Sequence, residues 1–155
     1  MLKMSFLNPI LLGCSALVAC SALAFGEVAA PIGFWETQDD SGSKEHAIVE
    51  IYQQDSKLFG KIVQLVNAKD PNAVCDKCDD DKKDQPVKGM VIVWDLEKSD
   101  DEWSGGHILD PKTGKEYKCR MSLNEEGNEL EVRGYLGLPL LGRTQTWKRF
   151  VKVEE

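Results

Sequence analysis

From residue 33 onward, no stretch of this chain keeps apolar residues at helical spacing; the apolar positions alternate over short runs that stop at turn clusters. Side chains that alternate with a period of two line opposite faces of a strand, so the chain is committed to sheet. Eight runs fit: Phe34 to Gln38, His46 to Gln53, Leu58 to Val66, Met90 to Lys98, Glu102 to Leu109, Glu116 to Leu123, Glu129 to Tyr135, and Arg143 to Val153. Tyr117, Cys119, Met121 and Leu123 share one face against Lys118, Arg120 and Ser122, and Leu130 and Val132 oppose Glu129, Glu131 and Arg133. Each strand therefore has a wet face and a buried face, as antiparallel sheets do.

The connectors carry their own chemistry. Asp39-Asp40-Ser41-Gly42, Pro111-Lys112-Thr113-Gly114 and Asn124 to Asn128 supply glycine for positive φ and side chains that bond their own backbone. Short links between successive strands predict an all-β, up-and-down antiparallel barrel of about eight strands, because closure removes exposed edges. Only Asn67 to Gly89 is long; it predicts a functional or disulfide-tethered loop with room for a short helix.

The first 25 residues read differently. Lys3 precedes an apolar run from Phe6 to Phe25, the pattern of an export signal, and Ala22-Leu23-Ala24 offers a small-x-small cleavage site. The expected organisation is a signal peptide over 1–24, a linker over 25–32 and one barrel domain over 33–153, which is enough chain for one core. Leu17-Val18-Ala19-Cys20 also matches a lipoprotein processing box, which makes Cys20 a candidate lipidation site. Either route predicts a periplasmic or secreted protein, in one variant lipid-anchored to the envelope. In that oxidising setting Cys75, Cys78 and Cys119 allow three one-bridge arrangements, each leaving one thiol over.

Charge narrows the partners. The net charge of -7 is concentrated between Asp70 and Glu102, where 11 acidic residues face 5 basic ones, so nucleic acid and anionic membranes are disfavoured. No Gly-x-Ser-x-Gly, phosphate loop, dinucleotide fingerprint or His-Glu-x-x-His occurs, and neither His46 nor His107 has a nucleophile beside it in sequence. The expectation is a protein without catalytic residues, cofactor or metal. In Cys75-Asp76-Lys77-Cys78, a thioredoxin-like redox pair would need a βαβ setting, and a zinc site would need ligands from Cys119, His46 or His107 on distant strands. Asp76, Asp79, Asp80, Asp81 and Asp84 lack the glycine and distal glutamate of an EF-hand loop.

Gly33-Phe34-Trp35 opens the first strand and Trp147-Lys148-Arg149 lies in the last, an arrangement that resembles the lipocalin and calycin barrels. The wider string is more specific: Leu-Phe-Gly-Lys-Ile-Val at 58–63, Cys-Asp-Lys-Cys at 75–78, Gly-Met-Val-Ile-Val-Trp at 89–94, Gly-Gly-His-Ile-Leu-Asp-Pro at 105–111 and Arg-Gly-Tyr-Leu-Gly-Leu-Pro-Leu-Leu-Gly-Arg at 133–143. It resembles a bacterial family of exported domains of unknown function with a lipocalin-like barrel, across Gly33 to Val151. The resemblance implies the fold and no established activity. It also implies that Arg149, with Arg143 as the alternative, stacks on Trp35 to close one barrel end.

An eight-stranded barrel is either filled by side chains or holds one small ligand. Trp94, Tyr117, Met121 and Tyr135 are the candidate ligand-binding residues, plain core being their competing role. Arg133 to Arg143 places an apolar, Gly/Pro-punctuated loop between the last two strands, read as a flap over the barrel mouth whose leucines either contact lipid or a partner or tuck into the barrel end. The functional expectation is a non-catalytic binder of a small apolar or amphipathic molecule; the alternative is a module that binds an envelope protein, and a thiol- or metal-dependent enzyme ranks last.

Overall fold

A computed structural model describes residues 30–38 and 42–151. The export signal over 1–24, the Cys20 acylation site, part of the Asp39 to Gly42 turn and the end of the last expected strand lie outside the described residues. Eight strands follow in order: β1 (Gly33–Glu36), β2 (His46–Gln54), β3 (Lys57–Val66), β4 (Val91–Ser99), β5 (Glu102–Asp110), β6 (Lys115–Leu123), β7 (Glu129–Tyr135) and β8 (Gly142–Phe150). Each pairs antiparallel with the next, and β8 returns to β1 through Phe34↔Phe150, Trp35↔Arg149 and Glu36↔Lys148. The barrel is closed, so no strand presents a free edge.

This topology puts the β2–β3, β4–β5 and β6–β7 turns at one end, which we call the floor. The floor half is solid. Trp35, Val49, Ile51, Leu58, Val93, Leu96, Met121 and Leu130 are sealed from solvent. Gly60 allows this packing: a Cβ there would sit 2.9 Å from Ile51 Cδ1 and 3.0 Å from Val93 Cβ. The Arg149 guanidinium lies 4.2 Å from the Trp35 ring centre. It also donates to the carbonyls of Gly127 (2.6 Å) and Ile32 (3.1 Å), while the Trp35 indole N–H donates to Pro31 O at 2.9 Å. One arginine thus ties the entry to β1, the β6–β7 turn and β8 together across an indole.

The other end, the mouth, carries the β1–β2, β3–β4, β5–β6 and β7–β8 connections. The long β3–β4 loop is ordered by a Cys75–Cys78 disulfide, both cysteines buried, and by a Val74↔Pro86 bridge. Its short helix is one 3-10 turn, Asp80–Lys82. The loop rests on the β5–β6 turn at Gly114, whose φ is +70°; any Cβ there would collide with the Lys77 carbonyl. Cys75 Sγ lies 3.3 Å from Pro111 O in the same turn.

Candidate ligand-binding cavity

Small residues hollow the mouth half. Along the inward faces, Ala47 on β2 and Gly134 on β7 occupy the levels above the bulky floor residues, and a Cβ at Gly134 would find ordinary contacts at 3.5 Å. The result is an open cavity of about 780 Å³. Ile62, Ile92, Ile108 and Val132 make its inner wall apolar, and Trp147 lies among the deepest lining residues, itself almost fully buried. Trp147 donates its indole N–H to Gln145 Oε1 at 3.0 Å, which fixes both side chains on the inward face of β8. Arg143 continues that face toward the mouth, since its partner Gly134 is in register with inward Cys119.

The rim is charged and already knitted into its own loops. Asp110 accepts from Lys112 N and Thr113 Oγ1, both at 2.9 Å, in the β5–β6 turn. Asp70 Oδ1 caps Asn72 N at 2.9 Å, and Glu45 Oε1 accepts from Lys69 N at 3.3 Å, joining two mouth loops. His46 Nε2 lies 2.9 Å from Glu36 Oε1 and its Nδ1 3.0 Å from Lys44 O. These polar groups hold the entrance in shape around an apolar interior, the usual composition of a small-molecule site.

The structure separates the four expected lining residues. Tyr117, opposite Ile108 on the inward face, lines the cavity. Tyr135 has the outward parity of β7 but reaches the cavity from the rim, because its strand ends there. Met121 faces inward as expected but lies in the solid floor half, paired with Trp103 and Val132 and fully buried. Trp94 departs from the expectation: it sits on the outer face, stacked on His107 at 5.7 Å with Lys82 Nζ 4.5 Å above its ring. The reason is a bulge. Asp95 has a φ of +60°, which breaks the alternation, so Val93 and Leu96 both point inward and Trp94 outward. Gly106 accommodates it on β5, where a Cβ would collide with the Trp94 carbonyl.

Among the described residues, the cysteines resolve as one bridge and one thiol. Cys119, on the inward face of β6, is completely buried, and that burial pushes its thiol up to about 12. Gln145 and Trp147 were not singled out as lining residues from the sequence. Counting inward positions back from Arg149 by two would have found both.

Comparison with known proteins places this geometry. Among curated proteins, none matches the chain. A solved structure, protein HP1028 from the human pathogen Helicobacter pylori, described as belonging to the lipocalin family, is 25% identical with a TM-score of 0.70, covering 79% of this chain and 84% of that one. The family model described as an uncharacterized protein conserved in bacteria (DUF2147) matches residues 33–149, from the glycine before the closing tryptophan to the arginine that stacks on it. With its closed eight-stranded barrel and a match over most of its length, this chain belongs to the bacterial family DUF2147, on a lipocalin-like fold.

Proposed function

We propose that this is an exported, non-catalytic binding protein that takes one small apolar or amphipathic molecule into the mouth of its barrel. The observation that carries this reading is the pairing of a solid floor with an open cavity of about 780 Å³ whose inner wall is apolar and whose rim is charged. A ligand with an apolar body would cover Ile62, Ile108, Val132 and Trp147, and a polar end would remain in the wet rim. The two histidines and the free thiol of the described residues lie on different strands. His46 is held by Glu36 and Lys44, His107 stacks outside the barrel, and the buried Cys119 thiol stays protonated.

The test is a titration of the full chain with the neutral fluorophore N-phenyl-1-naphthylamine, set against Ala47→Phe, which fills the cavity from β2. Saturable enhancement in the wild type and at least tenfold weaker binding in the variant, at an unchanged unfolding midpoint, is the expected result. Equal binding by both proteins, or none by the wild type, overturns the cavity as a binding site. Ile108→Trp blocks the opposite wall and repeats the test should Ala47→Phe unfold.

A further inference from the structure

The β7–β8 loop is the most apolar exposed surface of the described residues. Leu136, Leu138, Leu140 and Leu141 are 62, 67, 87 and 74% exposed, far more than a structural loop needs. They are held in place. Arg133 donates from Nε to Pro139 O at 2.8 Å, from one terminal nitrogen to Leu140 O at 3.3 Å and from the other to Thr144 Oγ1 at 2.7 Å. With its carbonyls gripped by the arginine, and a 3-10 turn at Pro139–Leu141, the loop holds its four leucine side chains exposed. Leu136 and Leu141 also line the cavity, so an apolar track runs from the loop tip to the interior.

We propose that this loop docks the barrel onto a zwitterionic phospholipid surface and forms the lip over which its ligand enters. Docking itself stands on the loop alone; the entry route rests on the binding reading above. Three observations favour lipid over a protein partner. First, a loop of six residues cannot offer the roughly 800 Å² per partner that a standard protein interface buries, and leucines without aromatic anchors are poor hot spots. Second, in a chain with 26 acidic residues, positions 134–142 carry no charge and are bracketed by Arg133 and Arg143, with Tyr135 at the loop base. Leucine at the tip, tyrosine and arginine at the base is the order in which an interfacial segment meets acyl chains, then carbonyls, then phosphates. Third, the tip is continuous with the cavity, which is where an amphipathic ligand drawn from a bilayer must pass. Asp79, Asp80 and Asp81 share a neighbouring hollow with Leu136, which sets the preference for zwitterionic over anionic headgroups.

The test places a reporter at the tip of the full chain. Leu140→Trp is mixed with phosphatidylcholine vesicles whose acyl chains are brominated or not, in about 0.15 M salt, where charge is screened within about 8 Å. Quenching of the introduced indole at least twofold by brominated lipid, and its loss when Leu138→Asp is added, is the expected result; Leu138 is exposed, so that variant keeps the fold. The readout is the difference between Leu140→Trp and the unsubstituted chain, which already holds four tryptophans, so quenching caused by any other membrane attachment cancels. Emission that ignores the brominated vesicles overturns the proposal, as does a blue shift that depends on protein concentration without lipid, which would assign the loop to a second copy of the chain. Binding of N-phenyl-1-naphthylamine, measured on the same variants, separates the two readings. Quenching without probe binding removes the carrier reading and leaves docking; probe binding without quenching does the reverse.

Discussion

The floor and the mouth of this barrel are built from the same eight strands and yet have opposite properties. At the floor, the inward positions hold Trp35, Ile51, Leu58, Leu96 and Met121, and Gly60 lets neighbours interlock. At the mouth, two inward positions shrink to Ala47 and Gly134, which leaves space beneath loops tied to one another at the rim. Dense packing and open space are therefore assigned to different levels of one sheet. A barrel this small needs a filled part, because each buried methylene contributes about 0.8 kcal/mol and the chain must recover its ordering entropy somewhere. Here the lower half recovers it.

The sharpest way to break that contrast is to truncate one residue in each half and compare. Leu96→Ala, in the floor, is expected to cost about 3 kcal/mol in denaturant unfolding, since it leaves a closed void. Ile108→Ala, on the cavity wall, should cost about 1 kcal/mol, because the space it vacates joins one already open. Equal losses would show that the mouth is packed in solution as tightly as the floor.

A second comparison concerns the long β3–β4 loop at the mouth. In the chain-entropy account, opening the short Cys75–Cys78 ring by Cys75→Ser with Cys78→Ser costs about 2 kcal/mol, and the effect should be local. Hydrogen exchange should accelerate at the Cys75 and Val87 amides, which donate to Gln85 O and Ala73 O at 2.9 Å, while β2 and β3 remain protected. Acceleration throughout the barrel would mean that the loop and the floor unfold as one unit.

The smallest effect belongs to Cys119, which lies below the cavity and outside the disulfide. Its thiol ordinarily titrates near 9.0 and is raised to about 12 by burial, so the folded state holds the proton where the unfolded chain has lost it. The stability this provides is complete below about pH 9 and declines as pH climbs toward 12. Cys119→Ala should therefore flatten the alkaline limb of the unfolding profile and leave ligand binding near neutral pH unchanged. Prompt modification of Cys119 itself by a disulfide reagent at pH 8, located by peptide mass, would contradict its burial.

The strand pattern was legible because hydrophobic alternation and glycine-bearing turns are local signals, and the eight runs read from them fall within a few residues of the observed strands. Which face a residue takes was legible where alternation is unbroken, as at Tyr117, Cys119 and Met121. It failed at Trp94, because a single-residue bulge at Asp95 shifts parity without leaving a mark in the apolar pattern. Depth along the barrel was not legible at all. Tyr117 and Met121 share a face four residues apart, and only the register with β5 and β7 places one in the cavity and the other in the core. The bridge had the same character: three cysteines permit three pairings, and the choice follows from Cys119 being enclosed within a strand while Cys75 and Cys78 share a loop.

The clamp of Arg149 on Trp35 and on the carbonyl of Ile32 brings the two ends of the described chain side by side beneath the floor. Topologically the described barrel is a closed ring of strands, and both residue 30 and residue 151 lie at the end farthest from the cavity. Held at residue 30 or residue 151, the described barrel would stand with its entrance facing away from the support. A circular permutant that joins residue 151 to residue 30 and opens the chain at a floor hairpin would keep every loop around that entrance intact.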